Sequence, residues 1–164
     1  MKGDYFQNTV SLLLDHNNQG AFGLIINQPL DHSIGDVFPE LEGQSDCPLL
    51  EGGPVEQDRI FFLHPTGTRY ESTLQISDEV SLTTSEDFVD ALKAGTAPIN
   101  TLALLGYAGW GAEQLEQELA ANVWLLSPAS GHIVFEVPYA ERPSAAARML
   151  GIDLNLISPD AGHD

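Results

Sequence analysis

The most constraining feature of the chain is one apolar run, Ile99 to Tyr107 (INTLALLGY), held between Pro98 and Gly109. A run that is apolar on both alternating faces needs cover on both sides, so it reads as the central strand of a sheet. The flanking segments supply partners for it. Thr9 to Asp15 (TVSLLLD) and Ala21 to Asn27 (AFGLIIN) are β-compatible, and Asn17, Asn18 and Gly20 between them make a hairpin connection. Arg59 to Leu63 (RIFFL) is a strand stopped by Pro65 and Gly67, and Thr73 to Ile76 and Glu79 to Leu82 are short alternating strands. His132 to Val137 (HIVFEV), between Gly131 and Pro138, reads as a further strand, as does Val123 to Leu126.

Helical signals are fewer. Ile34 to Leu41 fits a short helical turn ending near Pro39. Thr83 and Glu86 have the spacing of a capping box, followed by Phe88, Val89 and Leu92 on one face and closed by Gly95. Trp110 to Ala121 reads as a helix, and Ser144 to Leu150 as a last one with Gly151 past its end. Hairpin-linked strands in the first half and strands alternating with helices in the second give an α+β class with a mixed, largely antiparallel sheet.

At 164 residues the chain is expected to be one domain over residues 1–157, followed by a polar tail, 158–164 (SPDAGHD). Its charge is one-sided: 24 acidic against 6 basic residues, a formal net of -18. That argues against direct binding to nucleic acid, because counterion release needs clustered cations. No apolar run approaches the roughly 18 residues a membrane span needs, and no export signal is read, so the expectation is a cytoplasmic protein away from the membrane. A lone cysteine, Cys47, cannot staple a secreted fold, and Asp46, Glu42 and Glu51 around it disfavour a thiolate.

Chemical motifs mostly fail on spacing. Gly106, Gly109 and Gly111 in LLGYAGWGAEQLE lie at a strand-to-helix turn but match neither G-x-G-x-x-G nor the phosphate-loop pattern. Glu113 already places a carboxylate where a phosphate would sit. Asp15 to Gly20 opens like a calcium loop, but Ile26 stands where the bidentate glutamate belongs. The five histidines, His16, His32, His64, His132 and His163, show no metal-binding spacing, and no cofactor or metal is expected. On a helical wheel Glu116 falls within the stripe of Ala112, Leu115, Leu119 and Ala120, so an inward carboxylate is expected there, either clamped by backbone N–H groups or tuned as an acid or base. His64, after a strand and before Pro65, is placed to enter a cleft.

Three motifs taken together carry a resemblance. They are Gly23 to Leu30 (GLIINQPL); Gly52-Gly53-Pro54-Val55 with Asp58-Arg59 and Leu63-His64; and Gly106 to Gly111 (GYAGWG) running into Gln114-Leu115-Glu116. With Asn122 to Leu125 and Asp4-Tyr5-Phe6, this ordered set is similar to the bacterial YqgE/AlgH family over nearly the whole chain. The resemblance implies a cytosolic protein with a bent, barrel-like mixed sheet surrounded by helices. It implies no established activity, cofactor or catalytic residue, and one branch of the family carries the label of a transcriptional regulator. Members usually begin with an extra apolar strand, and commonly have a small residue where this chain has Glu113.

Two functional expectations follow. The first is a non-enzymatic binding or regulatory protein whose acidity steers it to the basic surface of a protein partner, so that any effect on transcription is indirect. Its surface would be the loops carrying Asn27 and Pro29, Gly53, and Trp110. The second is an enzyme or small-ligand sensor with a cleft in which His64, Tyr107 and Glu116 converge.

Overall fold

The computed structural model describes residues 9–43, 45–120 and 130–148. Among them, β1 (Ser11–Asn17) and β2 (Gly20–Ile25) form the expected hairpin. A short helix, α1 (Ile34–Val37), and a 3-10 turn (Pro39–Leu41) precede β3 (Leu49–Glu51). Then come β4 (Val55–Pro65), β5 (Leu74–Gln75), β6 (Val80–Thr83), α2 (Glu86–Ala94), β7 (Leu102–Trp110) and α3 (Gln114–Ala120). A π-helical turn (His132–Glu136), a 3-10 turn (Tyr139–Glu141) and α4 (Arg142–Arg148) complete the described chain. The strands make one curled, half-barrel sheet in the order β1-β2-β7-β4-β6-β5, with β3 added beside β7. Every pairing is antiparallel except β3 with β7, which gives the mixed, largely antiparallel sheet of an α+β fold.

Strand β7 is the central element. One edge pairs with β4 from Leu102 to Tyr107; the other pairs with β3 over Ala103 to Leu105 and with β2 over Ala108 to Trp110. The period of two then sorts its side chains. Leu102 and Leu104, with Phe61 and Leu63 of β4, join one core cluster, whereas Ala103 and Phe62 join the other beneath α2. Burying side chains of this size on each face contributes roughly 1.5–3 kcal/mol apiece. Phe62 also stacks on Phe88 of α2 at 4.6 Å between centroids, as the apolar face of that helix requires.

Backbone fits against backbone where the chain enters β4. Gly52 donates to the Leu105 carbonyl and accepts from Ile25 N–H, both at 2.7 Å, so this strap is inserted between β2 and β7. At Gly53 an added Cβ would overlap the Tyr107 carbonyl. Gly106 has φ +77°, and a Cβ there would meet the Gly53 carbonyl. These glycines fix where Tyr107 leaves the sheet.

Several local expectations are corrected. His132–Glu136 is a single π-helical turn rather than a strand. Gly131 N–H is held by Glu79 Oε1 at 2.7 Å, the Ser130 hydroxyl accepts from Ile133 N–H, and Val137 N–H closes onto His132 O. The buried residues Ile133, Val134 and Val137 have helical spacing, which tertiary contacts selected over β propensity. Trp110 ends β7, α3 begins only at Gln114, and Ile99 is fully exposed ahead of the central strand. The N-cap of α2 is Ser85, whereas Thr83 belongs to β6. The final helix starts at Arg142 rather than Ser144. Strand β3 has no counterpart in the sequence reading; three residues are too few to show a period. The expected strand Val123 to Leu126 and the tail 158–164 lie outside the described residues.

Candidate functional site

A cleft of about 650 Å³ crosses the sheet from β1 over β2 and β7 to β4. Its floor is aromatic. Tyr107 stands nearly perpendicular to Phe22 (centroids 5.9 Å, 73°) and to Phe61 (6.2 Å, 80°), and Phe22 is 37% exposed. Trp110 closes one side, buried, with its indole N–H donating to Glu118 at 3.2 Å. Arg59 places its guanidinium 5.2 Å above the Phe61 ring, and Asp15, Asn17 and Gln19 line the opposite end.

The Tyr107 hydroxyl donates to Glu56 Oε2 at 3.0 Å. That bond to a carboxylate is the main reason the phenol is held above its ordinary pKa. Glu56 sits at φ +47°, where the β4 ladder shifts register between Val55 and Ile60. A non-glycine residue in this region carries strain of about a kcal/mol or more, and it lies beside the cleft. The bulge lets β4 pair with β7 beyond Gly106 while turning Arg59 and Glu56 toward Tyr107.

The residues read from sequence separate into different environments. Tyr107 and Trp110 line the cleft. His64 does not: β4 pairs Leu63 with Leu102 but Val55 with Tyr107, so His64 lies about 20 Å along the ladder from Tyr107. It is completely buried, stacked on Phe88 at 5.1 Å. Its Nδ1 faces the Pro65 carbonyl at 3.0 Å and its Nε2 faces the Thr83 hydroxyl at 2.8 Å. A carbonyl only accepts, so Nδ1 carries the proton and Nε2 accepts from Thr83. The Thr83 oxygen in turn receives the Thr73 hydroxyl at 2.8 Å, and Thr73 receives Tyr70 N–H at 2.6 Å. Burial holds His64 below its ordinary pKa, so the ring is a neutral link in a structural relay.

Glu116 points outward, contrary to the inward placement expected from the wheel. Because α3 begins only at Gln114, Ala112 is outside it and Leu115 and Leu119 form its packed side, so Glu116 takes an exposed bond to His16 Nε2 at 3.1 Å. Its pKa is lowered by a backbone hydrogen bond first and by His16 second. His64, Tyr107 and Glu116 therefore do not converge. In the glycine turn, Gly111 N–H is taken by Gln114 Oε1 at 2.9 Å. Asn27 Oδ1 accepts from Val10 N–H at 2.9 Å, and Pro29 bridges Leu50 alongside β3. Gly53 packs against the Tyr107 backbone from beneath. Cys47 is half-buried, and desolvation rather than neighbouring acids pushes its thiol up to about 12. Among the described residues no group of three metal-ligating side chains comes together, and no helix is long and apolar enough to cross a membrane.

The sequence reading missed Phe22, Phe61, Arg59 and Glu56. One signal was present: Phe22 is apolar at an outward position of a half-buried strand. The sequence also missed Arg142, 2% exposed, which donates to the carbonyls of Val137 (2.8 Å) and Ile26 and lies over Tyr139.

The whole-chain pattern matches a family model described as AlgH-like over residues 1–155. This chain belongs to the AlgH-like family. The UPF0301 protein AlgH of Pseudomonas aeruginosa is 46% identical over 165 residues, spanning 96% of this chain and 87% of that protein. A UPF0301 protein of Nitrosococcus oceani is 44% identical over 165 residues, spanning 96% and 88%. The solution structure of P. aeruginosa AlgH superposes with a TM-score of 0.74 at 45% identity, covering 95% of this chain and 86% of that one. A crystal structure of a Corynebacterium diphtheriae protein shares the AlgH-like fold at a TM-score of 0.69 and 19% identity, over 85% of this chain and 76% of the other.

Proposed function

We propose that this AlgH-like chain is a non-enzymatic binding protein that acts through a protein partner, whose basic surface carries a segment seated in the Tyr107 cleft. The observation that carries this reading is the open aromatic floor of Phe22, Tyr107 and Phe61 with carboxylates of Asp15 and Glu56 at its margins. An exposed aromatic on a sheet face is an anchor for a partner's apolar group. The net charge of -18 accelerates encounter with a basic surface and repels nucleic acid, so regulation of transcription would pass through the partner. The other candidates offered as reactive groups are committed elsewhere: both His64 nitrogens are hydrogen-bonded and the Cys47 thiol stays protonated.

The test is site-specific photocrosslinking in the host cytoplasm, with a photoreactive phenylalanine analogue at position 22 or at Leu74, an exposed residue on the far edge strand β5. A discrete crosslinked partner at 22 and not at 74, lost in Tyr107→Ala and weakened by salt, is expected. Equal crosslinking at both positions, or indifference to Tyr107→Ala, overturns the reading. The cleft volume also falls within the range of small-molecule sites. A small-ligand sensor built on Tyr107, without His64 or Glu116, is the second reading, and native mass spectrometry showing a bound small molecule would favour it.

A further inference from the structure

The cleft carries two opposite charges at its two ends, neither of them spent. Arg59 is one of only six basic residues beside 24 acidic ones, yet among the described residues no carboxylate lies within ion-pair distance of its guanidinium. It lies over the Phe61 ring and close enough to Tyr107 to favour its phenolate. That contact seats the guanidinium at the cleft, and with no carboxylate paired to it among the described residues its N–H donors suit a ligand carboxylate. Asp15, on β1, likewise has no hydrogen bond or ion pair among the described residues. Glu56, by contrast, is occupied by Tyr107, and Glu116 by His16.

The strand order places these two groups. Asp15 is on β1 and Arg59 on β4, with β2 and β7 between them. Three inter-strand spacings of about 4.8 Å, with an offset of about three residues along the strands because Asp15 aligns with Gly109 and Arg59 sits on the bulge between Val55 and Ile60, put them about 17 Å apart across the floor. An extended peptide rises about 3.3 Å per residue, so side chains four positions apart, about 13 Å, reach both groups through the length of a lysine and of Arg59 itself. Phe22, paired directly with Asp15, and Tyr107 on the next strand lie between them. A purely anionic ligand would enter against the field of the whole molecule, and a purely cationic one would leave Arg59 unmatched. At physiological salt, charges beyond about 8 Å are screened, so the contacting pair decides specificity once the segment is seated.

We infer that the cleft reads a short amphoteric segment of the partner: a basic residue at Asp15, an aromatic residue on Phe22 and Tyr107 two positions along, and a carboxylate at Arg59 four positions along. This rests on the partner reading above and adds to it a charge order that the reading alone does not require.

The test uses the full chain and three capped peptides, Lys-Gly-Phe-Gly-Glu, Lys-Gly-Phe-Gly-Gln and Gln-Gly-Phe-Gly-Glu, titrated while following the Arg59 side chain and the Phe22 and Tyr107 ring signals by NMR. The amphoteric peptide is expected to bind about fivefold more tightly than either neutralised one, the size of one solvent-exposed ion pair. In Arg59→Gln the Glu and Gln peptides become equal. In Asp15→Asn the two that differ at the Lys position become equal. Both variants are at exposed positions, and an unchanged amide spectrum away from the cleft shows that each is folded. Equal binding of all three peptides to the unaltered chain, or no shift at Arg59 up to millimolar peptide, overturns the inference. Crosslinking at position 22 that persists in Arg59→Gln would leave the partner reading standing without it.

Discussion

Thr83→Val removes one hydroxyl from the interior while keeping the side chain's shape. His64 is fully buried, and Thr83 is the hydroxyl facing its Nε2 at 2.8 Å. After the substitution that nitrogen, a buried acceptor, has lost its donor, and the Thr73 hydroxyl has lost its acceptor at 2.8 Å. An unsatisfied buried polar group costs about 1–3 kcal/mol, and the half-buried Thr73 recovers part of its loss through water, so about 2 kcal/mol is expected overall. With a urea dependence of about 2 kcal/mol per molar for a chain of this size, the unfolding midpoint falls by about 1 M. Long-range proton–nitrogen NMR of the unaltered protein reads the same arrangement directly, as a neutral His64 ring protonated on Nδ1. A midpoint within about 0.2 M of the parent, or a ring protonated on Nε2, refutes the relay and with it the assignment of His64 to structure.

The remaining predictions concern other features of the molecule. Because burial holds His64 below its ordinary 6.5, the unfolded chain takes up that proton first. Its contribution to stability is complete above pH 6.5 and is lost as pH falls toward the folded pKa, by at most about 1.4 kcal/mol per pH unit. Urea midpoints at pH 7.5 and 5.5 should show that fall, and His64→Gln should remove this part of it. Gly53→Ala drives a methyl into the Tyr107 carbonyl and is expected to cost about 3 kcal/mol, lowering the thermal midpoint by roughly 6–12 °C in a scanning calorimetry run. With its thiol pushed up to about 12, Cys47 should react with iodoacetamide at pH 8 more than about a hundredfold slower than free cysteine, followed by intact-mass spectrometry.

The elements legible in the sequence were those with long or doubly punctuated patterns. The β1–β2 hairpin, the face of α2 with its Gly95 stop (φ +77°), and the strand through Phe61 and Phe62 fall where alternation and turn residues put them. Short segments misled, because five or six residues such as HIVFEV contain both periods and only their neighbours choose between them. The site was legible in one residue type and not in arrangement. Tyr107 and Trp110 were named from a glycine-rich turn, but nothing in a linear reading joins Arg59 or Asp15 to them.

The sequence by itself determined the charge, the sheet-forming runs, the family and the exclusion of the common catalytic spacings, since each is a property of composition or of neighbours along the chain. Only tertiary structure decided that His64 is consumed inside the core, that Glu116 faces solvent, and that Asp15, Tyr107 and Arg59 share one cleft. Those outcomes depend on strand order and on a register shift at Glu56, which are set by how β7 buries both faces at once and leave no trace in local periodicity.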